Sequence, residues 1–249
     1  TRATSRYPQP TRTSPAVTRA TSRYPQPTRT SPAQPSTTQF PSLQCGQTPI
    51  EPNLSVNPKT SNAVVSGRPV VPNSWPWTVA ICYKDWFGNC AYQGAGTIIS
   101  DRYILTSATA VSSSDTNKPK QWRVQTGVND QTNKSEPTEQ VVSVLEIYKH
   151  PSFDGKYNDI ALIQLEKPLR FNQFIQPVCL PANDKGMIEP GEAQWYTGWG
   201  YTSDSQKPAS NLQQASLIVQ KHSLCEYNFF GEEVRASQIC SGTPETNTC

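Results

Sequence analysis

Residues 94–110 read GAGTIISDRYILTSATA, and this stretch carries much of the information about the fold. Its central run, residues 97–106, is rich in isoleucine, threonine and tyrosine, side chains that favour a pleated, half-buried strand. Glycines precede the run and small residues follow it. The pattern is typical of short β structure bounded by loops.

Runs of the same kind recur along residues 45–249, separated by Gly, Pro, Asn, Asp and Ser. The others are residues 77–83, 121–126, 140–148, 160–165, 194–197 and 215–219. Only residues 223–229, which begin with a serine suited to an N-cap, indicate a short helix. Short strands at this spacing predict an all-β sandwich or barrel and not βαβ units.

The first 44 residues have a composition of their own within the 249-residue chain. They hold 8 Pro, 16 Ser or Thr, six Arg and no acidic residue, and residues 1–16 recur unchanged as residues 18–33. Such a segment buries too little apolar surface to offset its ordering entropy. We predict a disordered, stalk-like tail, open to O-glycosylation. A basic arm for anionic glycans or nucleic acid is the alternative, which we do not favour because the arginines are dispersed.

The remainder carries 16 basic and 19 acidic residues, so the chain's net charge of +3 reflects neither part. No apolar run approaches the ~18–20 residues that cross a bilayer, so we expect no membrane span. We expect no nucleic-acid partner and no cofactor.

Seven cysteines lie at wide spacings without a CxxC pair, which favours a disulfide framework over a metal site. We therefore expect no metal and an extracellular, secreted protein. Two sequons, at Asn53 and Asn133, agree with secretion and are candidate glycosylation sites.

Six segments carry a resemblance to one family. They are SWPWTV (74–79), GAGTII with YILTSA (94–99, 103–108), NDIALI (158–163), PVCLP (177–181), TGWG (197–200) and ICSG (239–242). In order and spacing, residues 45–249 resemble trypsin/chymotrypsin-like serine peptidases. The resemblance implies two antiparallel six-stranded β-barrels, the second incomplete, with residues 45–63 as a pro-segment and 64–249 as the peptidase domain.

The resemblance also implies the disulfides Cys45–Cys179 and Cys225–Cys240. Cys82 and Cys90 match no common family pair, but they flank a hairpin with residues 86–89 at its tip, so we expect them to pair. Cys249 is left unpaired, because its family partner would lie beyond the last residue. The nucleophilic serine is likewise expected beyond this point.

The resemblance assigns the catalytic Asp position to Asp159 and the catalytic His position to Thr109. Threonine has no proton affinity near neutral pH and cannot act as a general base. The neighbouring Ala110 and its partner position, Gly94, replace a cysteine pair of the family. We expect Asp159 to be buried, with hydrogen bonds from backbone amides near residues 108–110 and from the Thr109 hydroxyl.

The two histidines, His150 and His222, are interpreted as solvated loop residues. At the family's activation site stand Ala63 and Val64, without the basic residue that precedes a trypsin-type cut. The resemblance places Asn247 at the base of the specificity pocket, where a neutral amide would supply no charge.

These substitutions favour a secreted, inactive homologue that acts by binding a protein or peptide, with an active peptidase or an inhibitor among the candidate partners. Two alternatives stay open: an active serine endopeptidase with an unusual base, and an adhesive or structural protein that works through its repeats.

Overall fold

Six strands of the chain close into an antiparallel barrel. They are β2 (Thr78–Lys84), β3 (Cys90–Ile98), β4 (Tyr103–Thr106), β5 (Trp122–Thr126), β6 (Gln140–Lys149) and β7 (Ala161–Leu165), paired in the order β2-β3-β4-β7-β6-β5. The structure is a computed structural model that describes residues 44–55, 67–112, 118–133, 136–183, 188–201, 207–228, 234–235 and 237–242.

The barrel interior is filled by aliphatic side chains around Trp122, which is fully buried. Alternation along the strands produces this core: Val79 and Ile81 of β2 point inward, and β7 buries every second side chain. Tyr83 and Trp122 meet edge to face, with ring centroids 5.3 Å apart. Period-two burial of this kind explains why the branched and aromatic runs form strands.

A second sheet contains four strands among the described residues. These are β1 (Arg68–Pro69), β8 (Ala193–Gly198), β9 (Gln213–Val219) and β10 (Ser241–Gly242). β9 is the centre: β8 pairs along one edge, and β1 and β10 pair with opposite ends of β9. Trp199, fully buried, packs between this sheet and the barrel with Ala80 and Val128.

The observed elements confirm the all-β fold and refine its boundaries. A tight turn divides residues 97–106, because the Ser100 hydroxyl accepts the N–H groups of Arg102 and Tyr103. Helix α1 spans His222–Asn228, one residue earlier than predicted. No helix in the described part of the chain is long and apolar enough to cross a membrane.

Three disulfides join the pairs named above: Cys45–Cys179, Cys82–Cys90 and Cys225–Cys240. The first ties the segment before the barrel to the connection between the two sheets, and the second closes the β2–β3 hairpin. The repeat tail, Ala63, Val64, Asn247 and Cys249 lie outside the described residues.

Gly127 follows β5 in a tightly packed part of the barrel end, and a substitution there measures that packing. Its φ is +68°, and a Cβ there would collide with the Thr138 carbonyl and lie 3.0 Å from Ile175. Gly127→Ala combines left-handed strain with this overlap, so we expect a loss of about 2–4 kcal/mol in the free energy of unfolding. Urea denaturation measures it.

Gly88→Ala is the matched control, because Gly88 has a similar φ of +83° but nothing within 4 Å of its Cβ position. It should cost only the backbone strain, about 1–2 kcal/mol. Equal losses in the free energy of unfolding for the two variants would contradict the prediction, because the overlap at Gly127 would then add nothing to the backbone strain.

Candidate active site

Asp159 is presented by a loop that joins β6 to β7. Asn158, immediately before it, has a φ of +57°, a left-handed conformation that asparagine tolerates better than most residues. Its side-chain amide donates to the Ser152 carbonyl at 2.9 Å, and its own carbonyl accepts the Ile160 N–H at 2.8 Å. The loop thereby turns the Asp159 carboxylate toward the end of β4.

Thr109 donates two hydrogen bonds to the Asp159 carboxylate. It begins a short 3-10 turn, Thr109–Val111, three residues after β4. Its backbone N–H donates to Asp159 Oδ1 at 2.7 Å, and its hydroxyl donates to Asp159 Oδ2 at 2.9 Å. Both carboxylate oxygens therefore have a donor, and both donors come from one residue.

The expectation that Asp159 is buried is wrong, because the structure exposes it. The partner in contact, Thr109, is itself exposed. A threonine reaches the carboxylate with only a hydroxyl and a methyl group, so it covers less of Asp159 than an imidazole ring would. With water at the carboxylate, the desolvation cost expected for a buried charge does not arise.

A cavity of about 700 Å³ opens beside Asp159. Its wall is formed by the β3 and β4 residues Gly96 and Leu105, by Thr197 of β8, and by His150 and Lys156 of the Asp159 loop. The Arg235 guanidinium lies 3.5 Å from the Tyr157 ring centroid and so contacts the same loop. The contact joins residues 78 positions apart, and no local sequence signal indicates it.

Asp154 stabilises the turn that leads to this contact. It accepts the N–H groups of Tyr157 and Lys156 at 2.7 and 3.0 Å. These bonds, from Tyr157 first, hold the pKa of Asp154 below its usual value, with a smaller contribution from the positive charge of Arg235. The loop before Asp159 is thus ordered by its own backbone donors.

The two histidines lie in different surroundings. His150 is exposed at the cavity rim, and its Nδ1 accepts the Ser152 N–H at 3.1 Å. His222 is the first residue of α1, is half-buried, and places Nε2 2.8 Å from the Gln238 carbonyl. The interpretation of His222 as a solvated loop residue is therefore wrong, because the ring packs against the strand connection ahead of β10.

The segment before the barrel is attached at two points. Near Cys45, the Gly46 N–H donates to the Pro177 carbonyl at 2.8 Å. At the other end, the Asn53 carbonyl accepts Arg68 Nη2 and Gln214 Nε2, both at 2.6 Å. Arg68 and Gln214 are opposite each other in the β1–β9 pair, so the second sheet supplies both donors. We call this contact of Asn53 with Arg68 and Gln214 the Asn53 anchor, and no sequence pattern indicates it.

Among the described residues, no group of three or more His, Cys, Asp or Glu side chains is placed to hold a metal ion. What the site does contain is the Asp159 carboxylate bonded by Thr109, with His150 at the rim, arranged on the end of a closed barrel.

A family profile described as "Trypsin" matches residues 64–249. The chain belongs to the trypsin family. Two curated relatives are chymotrypsin-C of Rattus norvegicus, 32% identical, and chymotrypsin-C of Mus musculus, 31% identical. Each aligns over 205 residues, which cover 80% of this chain and 70% of the relative.

A solved structure described as "Structure of GrC" matches with a TM-score of 0.61 and 25% sequence identity. The match covers 71% of this chain and 74% of that chain. The closed barrel, the second sheet and the described site therefore form a trypsin-like serine peptidase domain.

In this trypsin-family domain, Gly94 of β3 faces Ala110 of the 3-10 turn. A Cβ built on Gly94 would lie 2.8 Å from the Ala110 Cβ. The backbone spacing that a cross-link needs is thus nearly retained, although neither residue is a cysteine.

Thr109→Val measures the hydroxyl bond to Asp159. The valine keeps the backbone N–H donor and the shape of the side chain but cannot donate from the side chain. We expect a loss of about 0.5–1 kcal/mol in the free energy of unfolding, because the bond is exposed to water. Thr109→Ser keeps both donors and should stay close to wild type in the same denaturation series. A valine variant as stable as the serine variant would contradict a structural role for the hydroxyl.

Gly94→Cys combined with Ala110→Cys should form a new disulfide under oxidising conditions. The usual Cβ separation in a disulfide is about 3.8 Å, so β3 and the 3-10 turn need to part by about 1 Å. A disulfide that closes a loop of this length is expected to raise the free energy of unfolding by up to about 3 kcal/mol, less the cost of that movement. Thiol titration and melting with and without reductant measure both effects; two additional free thiols in the oxidised protein would contradict the prediction.

Proposed function

We propose that this trypsin-family protein is secreted, lacks proteolytic activity, and acts by binding a protein or peptide partner. The observation that carries the proposal is the pairing of Thr109 with Asp159. In a serine peptidase the Asp orients a histidine, which removes the proton from the nucleophilic serine. Here the donors that occupy Asp159 belong to a residue that cannot take up a proton.

Neither histidine is arranged to replace the missing base. A triad histidine donates from Nδ1 to the Asp, whereas His150 Nδ1 accepts a hydrogen bond from the Ser152 N–H. His222 Nε2, the nitrogen that would face a serine, is within hydrogen-bond distance of the Gln238 carbonyl. Loss of the triad histidine lowers turnover by about 10⁶ in a serine peptidase, which is too large a loss for a processing or digestive enzyme.

By the family resemblance, two further positions depart from a trypsin-type peptidase. Ala63 stands where trypsin-type activation needs a basic residue, and Asn247 stands at the base of the specificity pocket, where a neutral amide offers no charge to a basic substrate side chain. Both lie outside the described residues, so their support comes from the sequence alone.

The disulfides and the sequons support secretion. The structure contains three disulfides, and disulfides are typical of proteins in oxidising compartments. Asn53 and Ser55 of the first sequon are exposed, as is Asn133 of the second, and surface exposure is what glycan attachment requires. A peptidase-family cleft binds polypeptide chains, which supports a protein or peptide partner, among them an active peptidase or an inhibitor.

A fluorophosphonate probe tests the proposal, because it labels only an activated serine. We expect the full-length protein to remain unlabelled under conditions in which a chymotrypsin control is labelled completely. Thr109→His places an imidazole beside Asp159 at an exposed position, so any gain of labelling identifies the missing base as the defect.

Stoichiometric labelling of the wild-type protein would overturn the proposal and support the alternative, an active endopeptidase. In that case Thr109→His should change activity little, since another base already serves the serine. The adhesive alternative depends on the repeats, which lie outside the described residues; deletion of residues 1–44 should then abolish partner binding.

A further inference from the structure

The hairpin between β2 and β3 ends in a rigid turn. Asp85 accepts the Asn89 N–H at 2.8 Å and the Asn89 side-chain amide at 3.1 Å, and its own N–H donates to the Asn89 carbonyl at 2.9 Å. The Cys82–Cys90 disulfide closes the stem directly behind this turn. The residues at the tip are therefore held in place before any partner arrives.

That tip carries two aromatic side chains in contact with water. Trp86 is 95% exposed and Phe87 is 87% exposed, more than any other large apolar side chain that the structure describes. Isolated exposed apolar residues are ordinary, but two adjacent rings on a braced projection form an apolar surface that favours burial in a partner.

The base of the same hairpin is positively charged. Lys84 ends β2, and Arg123 pairs with Cys82 across the β2–β5 ladder. The Tyr83 hydroxyl bonds the Gln121 side chain, which brings the 3-10 turn with Lys120 to the same end of the barrel. The acidic residue of the tip is Asp85, and its carboxylate is directed at Asn89, within the turn.

We propose that Trp86 and Phe87 anchor the protein to a phospholipid surface, with both rings inserted at the boundary between headgroups and acyl chains. Tryptophan suits this boundary because its ring is apolar and its N–H still finds a hydrogen-bond acceptor. Lys84, Lys120 and Arg123 would then lie at the level of the lipid phosphates.

The surroundings of the tip favour lipid over a protein pocket. A stable protein interface buries about 800 Å² on each partner and needs a complementary rim. Here the two rings are flanked by exposed Asp85 on one side and by exposed Gly88 and Asn89 on the other, which provide no further apolar surface. A bilayer adapts to a narrow projection and requires no such rim.

Vesicle sedimentation with the full-length protein tests the anchor. Two kinds of vesicle separate the contributions. Vesicles of phosphatidylcholine alone report on ring insertion, and vesicles containing roughly a third phosphatidylserine add the attraction to anionic headgroups. We expect wild-type protein to bind both, and the anionic vesicles more tightly. Replacement of both rings, Trp86→Ala with Phe87→Ala, should weaken partition at least about 10-fold on both.

Two matched variants make the result specific. Leu180→Ala with Tyr201→Ala removes two other exposed apolar side chains and should leave binding unchanged. Trp86→Phe keeps an aromatic ring, so it should bind within a few-fold of wild type but lose the part of the fluorescence that brominated lipids quench. Because these positions are exposed, unaltered melting curves are expected and exclude misfolding.

Two results would overturn the proposal. One is absence of wild-type binding to either vesicle, which would direct the search to a protein pocket. The other is equal binding by wild type and the double-alanine variant, which would assign the attraction to the arginines of residues 1–44, since both proteins retain them.

Discussion

The pairing of β4 with β7 determines where the site forms. Thr106, the last residue of β4, is opposite Ala161, the first residue of β7, and the strands run antiparallel. Thr109 follows β4 by three residues and Asp159 precedes β7 by two, so closure of the barrel brings them together across 50 positions of sequence. The hydrogen bonds between Thr109 and Asp159 are a consequence of strand register. They join the segment that follows β4 to the segment that precedes β7.

Much of this arrangement could be predicted from residues 94–110 and 158–163, because period-two burial and the family's motif spacing fix which strands pair. The family resemblance predicts the donors to Asp159 and two of the disulfides, Cys45–Cys179 and Cys225–Cys240, whereas the third, Cys82–Cys90, follows from the hairpin between its two cysteines. The exposure of Asp159 could not be predicted, because it depends on how much of a carboxylate a small side chain covers. The Arg235–Tyr157 contact and the Asn53 anchor were also inaccessible, since each joins distant loops through groups that form no local pattern.

His222 shows a different limit. Its neighbours in sequence, Lys221 and Ser223, are polar and exposed, so the local pattern indicates a solvated loop. The ring is half-buried because the Cys225–Cys240 disulfide holds α1 against the segment that enters β10, where the Gln238 carbonyl faces the imidazole. A covalent constraint three residues away, and not the hydropathy of the segment, determines the environment of this side chain.

The contacts of Asp159 give this residue a structural role that does not depend on catalysis. Hydrogen bonds from the Thr109 N–H and hydroxyl satisfy Asp159, and in return the carboxylate holds the first residue of the 3-10 turn after β4. That turn places Val111, fully buried, in the barrel core and Ala110 opposite Gly94. An alanine at residue 159 would leave the turn without its acceptor while gaining nothing in burial, because the position is exposed. Asp159 thus has a structural role whether or not a histidine faces it, and its presence alone is not evidence of peptidase activity. The residue that distinguishes the two possibilities is its partner, Thr109.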